Sequence, residues 1–177
     1  MTTGQVQNFF SLLGLPESCS VDEALLDRNY RALQAQWHPD RFAAAPQAER
    51  LQAVQQASLI NDAYNTLKTP LRRAEYLLQL NGVDPHKGDN QTLQDGAFLM
   101  TQLQQREELE DMLERRDEAG LTRLQKRTRE EHAAIWRQFG ENCEAGRFGV
   151  ALVAFQKLQF LTKLGYEIVA AEDKLLD

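Results

Sequence analysis

The sequence is poor in cysteine: Cys19 and Cys143 are the only two among 177 residues, and they stand far apart. No Cys-x-x-Cys pair occurs, which excludes the usual cysteine-rich structural zinc site. Two such distant thiols suit a reducing compartment better than a disulfide framework. Long apolar runs are missing as well. Nothing approaches the roughly eighteen consecutive apolar residues of a membrane span, so no membrane partner is expected. The first eight residues, Met1 to Asn8, carry no basic segment ahead of their apolar ones, and arginine is absent before Arg28. Neither a secretory signal nor a mitochondrial presequence is expected, and the default location is the cytoplasm. Glycine-rich phosphate loops, nucleophile–base spacings and ligand clusters are also lacking. The chain is therefore not expected to be an enzyme, nor to hold a metal or cofactor.

What is present has the balance of a soluble globular protein, with 26% charged and 42% apolar residues. The length suffices for one ordinary domain or two small ones. The net charge of -6 is unevenly placed. Residues 92–119 concentrate acids (Asp95, Glu107, Glu108, Glu110, Asp111, Glu114, Asp117, Glu118), whereas 121–139 reverse the sign through Arg123, Lys126, Arg127, Arg129 and Arg137. Opposite charges on consecutive helices fit an antiparallel pair with solvated, paired faces. An acidic helix face would also steer a basic partner. Nucleic acid is disfavoured by the acidic balance and by the lack of a concentrated basic stripe.

Spacing, caps and breaks divide the chain. Ser20-Val21-Asp22-Glu23 fits a capping box, with Ser20 capping and Glu23 reaching back, ahead of a helix that runs to about Gln36. Leu26, Tyr30, Leu33 and Trp37 form its apolar stripe and leave Asp27, Arg28, Arg31 and Gln34 on the far side. Pro46 suits the first turn of a second long helix, with Val54, Ala57, Ile60, Tyr64 and Leu67 inward. Thr69-Pro70 ends it and opens another that closes at Gly82. Residues 81–91 hold two glycines, one proline and little apolar content, a linker signal. The reading is a domain over 1–80, a linker over 81–91 and a second domain over 92–177. The second domain shows three long periodic segments, divided near Gly120 and near Gly146 to Gly149. Val150, Val153, Leu161, Leu164, Ile168 and Leu175 share one face of the last. No segment sustains a two-residue alternation, so the fold class is all-α and the second domain a three-helix bundle.

His38-Pro39-Asp40 falls between the two long helices of the first domain. Pro39 fixes its own φ and disfavours helix at His38, so the bend is stiff and presents an imidazole and a carboxylate to solvent. That is a docking element, not an active site. Alone the tripeptide is a weak signal, and its surroundings strengthen it. Phe9, Leu12, Gly14 and Leu15 precede the first long helix, Leu26, Tyr30, Leu33 and Trp37 lead up to the bend, and Ile60-Asn61-Asp62-Ala63-Tyr64-Asn65-Thr66-Leu67 follows it. Together, over about residues 7–80, these resemble a J-domain, the module that stimulates ATP hydrolysis by DnaK-type chaperones. Ala97-Phe98-Leu99-Met100, Arg106-Glu107-Glu108-Leu109 and the closing Lys174-Leu175-Leu176 extend the resemblance to HscB-type co-chaperones of iron–sulfur cluster assembly.

The resemblance implies a J-domain, a helical hairpin with its loop at the tip, joined to the three-helix bundle. It implies that Asp40 engages a basic residue of an HscA-type ATPase, with Pro39 holding the bend and His38 ordering the contact. Arg28, Arg31 and Arg41 would supply the flanking positive surface. The commoner pattern there is lysine-rich, whereas this chain has no lysine before Lys68 and carries Asp27 on the same face. In the second domain, Phe98, Leu109, Met112 and Leu113 make the obvious core stripe. Leu99, Met100 and Leu103 lie roughly 100° to 200° away from Phe98, alongside Glu107 and Asp111. Apolar residues so placed, rimmed by charge, mark interfaces. The resemblance implies that they bind an IscU-type scaffold protein with help from Phe160, and that Gln104 stands where relatives carry an acid. His86 and His132 read as isolated histidines and Trp136 as core. The implied protein delivers the scaffold to the chaperone and stimulates its ATPase. The alternative is a general J-domain co-chaperone for unfolded clients, which usually carries glycine-rich or cysteine-rich segments that this chain lacks.

Overall fold

The computed structural model describes residues 8–176, so the N-terminal segment ahead of Asn8 lies outside the described residues. Within them every regular element is helical, and the chain divides into two compact units, one ending at Leu77 and one starting at Leu78. No helix is long and apolar enough to cross a membrane.

In the first unit, α1 (Phe9–Leu12) is a single turn begun by the Asn8 side chain, which accepts the Ser11 N–H at 2.9 Å. It lies against α3 (Gln47–Lys68), which forms a hairpin with α2 (Glu23–Gln36). Phe10, Leu13, Leu26, Ile60, Ala63 and Leu67 are buried there. The start of α2 corrects the sequence reading. Asp22, not Ser20, caps it by accepting the Leu25 N–H at 3.0 Å. A carboxylate in that position both satisfies an orphan N–H and faces the positive end of the helix dipole. Pro46 is the residue before α3 and not part of its first turn. The inward face of α3 runs through Ala53, Ile60, Ala63 and Leu67, so Val54 is exposed, one residue off that line.

The helix α4 (Pro70–Leu80) follows directly after Thr69. Its Arg73 is buried, donating from Nε to the Cys19 carbonyl at 2.9 Å and from Nη1 to the Leu67 carbonyl at 2.6 Å. Leu67 sits in the last turn of α3, where carbonyls lack helical partners, so the guanidinium closes that end. Burial pushes its pKa down.

In the second unit, α4 ends as the sequence indicated. Gly82 has φ 79°, its N–H reaches the Gln79 carbonyl and the Val83 N–H reaches Leu78. The stretch 81–91 is structured. Pro85 is buried, Gly88–Gln91 forms a 3-10 turn, and Gln156 Nε2 donates to the Asn90 carbonyl at 2.7 Å. Beyond it α5 (Gly96–Glu114), α6 (Glu118–Glu144) and α7 (Phe148–Leu176) form the three-helix bundle. Arg116, at φ 52°, makes the α5–α6 turn. Gly120 lies inside α6 instead, where Asp117 Oδ1 accepts its N–H at 2.8 Å. A Cβ at Gly120 would stand 2.4 Å from Asp117 Oδ2, so the glycine leaves room for the capping carboxylate. Along α7 the buried face passes through Ala151, Phe155, Leu158, Leu161, Leu164, Ile168 and Leu175, and Val150 and Val153 are exposed.

Apolar clusters fill the bundle core. Leu109, Leu121, Leu124, Leu164, Ile168, Ala171 and Leu175 form one; Leu93, Phe98 and Leu161, with Leu99, Ile135 and Phe160, form another. Between them along α5 lie buried Gln102 and Gln105, whose amides bond to each other at 2.7 Å. Arg127–Glu108 at 2.6 Å joins α6 to α5, as the reversed charge of those consecutive helices suggested, and Arg106–Glu167 at 2.9 Å joins α5 to α7.

Candidate docking sites

The loop of the hairpin is built by its flanks. Trp37 closes α2 and stacks on Phe42 with ring centroids 5.9 Å apart and planes at 7°. The two rings bracket His38-Pro39-Asp40-Arg41, which Pro39 starts as a short 3-10 turn. The Arg41 N–H reaches the His38 carbonyl at 3.0 Å, and His38 Nδ1 accepts the Asp40 N–H at 3.3 Å. The Asp40 side chain is 91% exposed and that of His38 55%, with 3.6 Å between Asp40 Oδ2 and His38 Nδ1. A stiff backbone thus holds a carboxylate out in water, ready for a cationic partner group.

Of the three arginines assigned to the flanking surface, Arg28 and Arg31 are exposed on α2. Arg41 is partly committed, donating from Nη1 to the Ala35 carbonyl at 3.1 Å, where it caps the C-terminal end of α2. Asp27 corrects the sequence reading, since it turns toward α3 and not to the far side. The Tyr64 hydroxyl donates to its Oδ1 at 2.8 Å, and Lys68 Nζ lies 3.7 Å from that oxygen. The Tyr64 hydrogen bond, then the Lys68 and Arg31 charges, hold the Asp27 carboxyl below its usual range. Tyr64 itself is fixed by stacking on Tyr30, centroids 3.9 Å apart, and the Tyr30 hydroxyl donates to Asn61. The signal for this network was available, because two tyrosines on inward stripes need partners for their hydroxyls.

The second site lies on α5. Met100 and Leu103 are 58% and 52% exposed, and Glu107 and Asp111 continue the same outward line. Leu99 does not join them. It is half-buried against the Leu93, Phe98 and Leu161 cluster, as is Phe160, whose ring stands edge-on to Phe98. The six residues therefore divide into four on the surface and two that support the helix beneath it. Asp95 fixes the start of α5, accepting the Phe98 N–H at 3.0 Å and the Lys157 ammonium at 2.6 Å. Lys157 and that N–H lower its pKa. Gln104 is exposed.

His132 is a satisfied histidine, one of the two readings the sequence favoured over a ligand. His132 Nε2 lies 3.3 Å from Thr162 Oγ1 and its ring stacks on half-buried Trp136, while burial lowers its pKa. The His86 N–H donates to Asp84. Among the described residues no three His, Cys, Asp or Glu side chains are grouped to hold a metal.

A helical hairpin with His-Pro-Asp at its tip defines the first unit as a J-domain, and residues 8–76 match the family model described as the DnaJ domain. Residues 94–169 match the one described as the HSCB C-terminal oligomerisation domain. The chain belongs to the HscB co-chaperone family. It is 46% identical over 171 residues to a co-chaperone protein HscB homolog of Aeromonas salmonicida, a match covering 96% of this chain and 99% of that one. The structure of chaperone HscB from Vibrio cholerae is similar at a TM-score of 0.82 and 41% identity, covering 95% and 99% of the two chains. That of human co-chaperone protein HscB is similar at a TM-score of 0.83 and 27% identity, covering 96% and 84%.

Proposed function

We propose that this co-chaperone brings an IscU-type scaffold protein to an HscA-type ATPase and stimulates ATP hydrolysis there, in support of iron–sulfur protein maturation. The observation that carries the reading is Asp40, 91% exposed on a rigid turn and, among the described residues, engaged only by His38. A carboxylate held so far from any reacting group acts by binding a cation on a partner. The chain hydrolyses nothing itself, since the nucleotide and the cluster belong to the partners, and it works in the cytoplasm with them. Stimulation requires that the loop bind one state of the ATPase better than the other.

The outward line Met100, Leu103, Glu107 and Asp111 supplies the second arm, an apolar centre with an acidic edge suited to an apolar surface bordered by bases. Leu99 and Phe160 hold that helix face in place from below. Binding both partners raises the local concentration of scaffold at the ATPase. Calorimetric titration of each partner into the protein tests the two arms separately. Asp40→Asn should lose the ATPase and keep the scaffold, and loss of both together would contradict two independent arms.

A further inference from the structure

We propose that Lys68 and Tyr64 govern docking of the ATPase through Asp27: by holding its carboxylate on α3, they keep the cationic face of Arg28 and Arg31 open to an acidic partner surface. The inference rests on the reading of the His38-Pro39-Asp40 loop as the ATPase-docking element.

Asp27 and Arg31 stand one turn apart on α2, the spacing at which a carboxylate and a guanidinium pair. Yet among the described residues neither Arg28 nor Arg31 takes part in an ion pair, while Asp27 bonds Tyr64 and lies 3.7 Å from Lys68. Lys68 Nζ also donates to the Tyr64 hydroxyl at 2.5 Å and sits 4.9 Å from its ring centre. The Tyr30–Tyr64 stack keeps that hydroxyl aimed at Asp27. Two groups thus draw one carboxylate across the hairpin, away from the arginine beside it.

An exposed bridge of this kind contributes little to folding, so its conspicuous effect is on charge distribution. Released, Asp27 would turn to Arg31 and cancel one of the two positive charges that face outward from α2. Charges on the rim of an interface act chiefly on encounter rate and on its salt dependence. Lys68 and Tyr64 are therefore positioning residues, distinct from the groups that touch the partner.

The test measures ATP hydrolysis by an HscA-type chaperone against concentration of the full chain, at low and high salt. Lys68→Met should raise the half-maximal concentration by about threefold at low salt and by much less at high salt. Lys68→Arg should behave as wild type. In an Asp27→Asn background, Lys68→Met should have no further effect. A loss of equal size in both backgrounds would mean that Lys68 touches the partner itself, and would overturn the proposal. So would an absence of effect of Lys68→Met in the otherwise wild-type chain. Tyr64→Phe keeps the stack and removes the hydroxyl, so it should shift the curve in the same direction and be rescued by Asp27→Asn. Thermal unfolding of each variant checks that the fold is intact. Wild-type stimulation by Asp40→Asn would instead remove the docking reading on which the inference stands.

Discussion

Phe160 on α7 stands edge-on to Phe98 on α5, ring centroids 6.1 Å apart and planes at 80°. Two turns of α5 are thereby anchored from below, and Met100 and Leu103 project from the opposite side with no apolar cover. Surface and support can therefore be separated by mutation. Met100→Ala with Leu103→Ala should weaken scaffold binding by roughly 2 kcal/mol or more if they form its hot spot. The same pair should change folding stability by only about 0.5 kcal/mol. Leu99→Ala or Phe160→Ala should instead lower stability by roughly 1–3 kcal/mol, as removal of packed side chains does. Calorimetric titration alongside urea denaturation distinguishes the two groups, and equal stability loss from both would contradict the division.

The Thr128 hydroxyl is buried in the bundle and has no hydrogen-bond partner among the described residues. An unsatisfied buried polar group is a liability of about 1–3 kcal/mol. Thr128→Val keeps the shape and the β-branch while removing it, and helix propensities of the two residues are similar. The variant should be more stable by about 1 kcal/mol in urea denaturation. Lower stability would show that the hydroxyl has a partner in solution.

His132 should make the bundle acid-sensitive. Burial lowers its pKa below the ordinary 6.5, so the unfolded chain binds its proton more readily than the folded one. Stability from the neutral ring is then complete above pH 6.5 and falls as pH drops from there through the lower folded-state pKa. Glu131 on α6 and Glu167 on α7 lie within one or two turns of His132 and Thr162, but Glu167 is engaged by Arg106. His132→Gln should flatten the pH dependence of melting temperature between about pH 7 and 5. An unchanged slope in that variant would assign it to other groups.

Much of this architecture was legible where local chemistry was decisive. Gly82 and Thr69-Pro70 act within a few residues of themselves, and both mark the helix ends that they indicated. Periodicity found the buried residues Leu26, Ile60, Leu67, Phe98 and Leu109. It failed where neighbouring elements decide. Val54 and Ala53 are adjacent, and only the approach of other helices favours the smaller alanine as the inward residue. Gln102 and Gln105 are buried because they satisfy part of each other's needs, which an apolar count cannot register. Gly120 read as a break because its helical role depends on a carboxylate three residues away.

The sites divide in the same way. Pro39 made the exposed loop evident, since its restriction is intrinsic, and Met100 and Leu103 stood clearly off the core stripe. Leu99 sits at the edge of that stripe, where wheel angle alone does not separate surface from core. Asp27 was misplaced because its direction is set by Tyr64 and Lys68, 37 and 41 positions further along the chain.

The most direct test of the docking role is single-turnover ATP hydrolysis by an HscA-type chaperone with this protein present, with and without the IscU-type scaffold. Joint stimulation greater than that of either protein alone, lost in Asp40→Asn, is the expected result. Stimulation indifferent to scaffold would indicate a general J-domain co-chaperone, and no stimulation at all would contradict the docking role of the His38-Pro39-Asp40 loop.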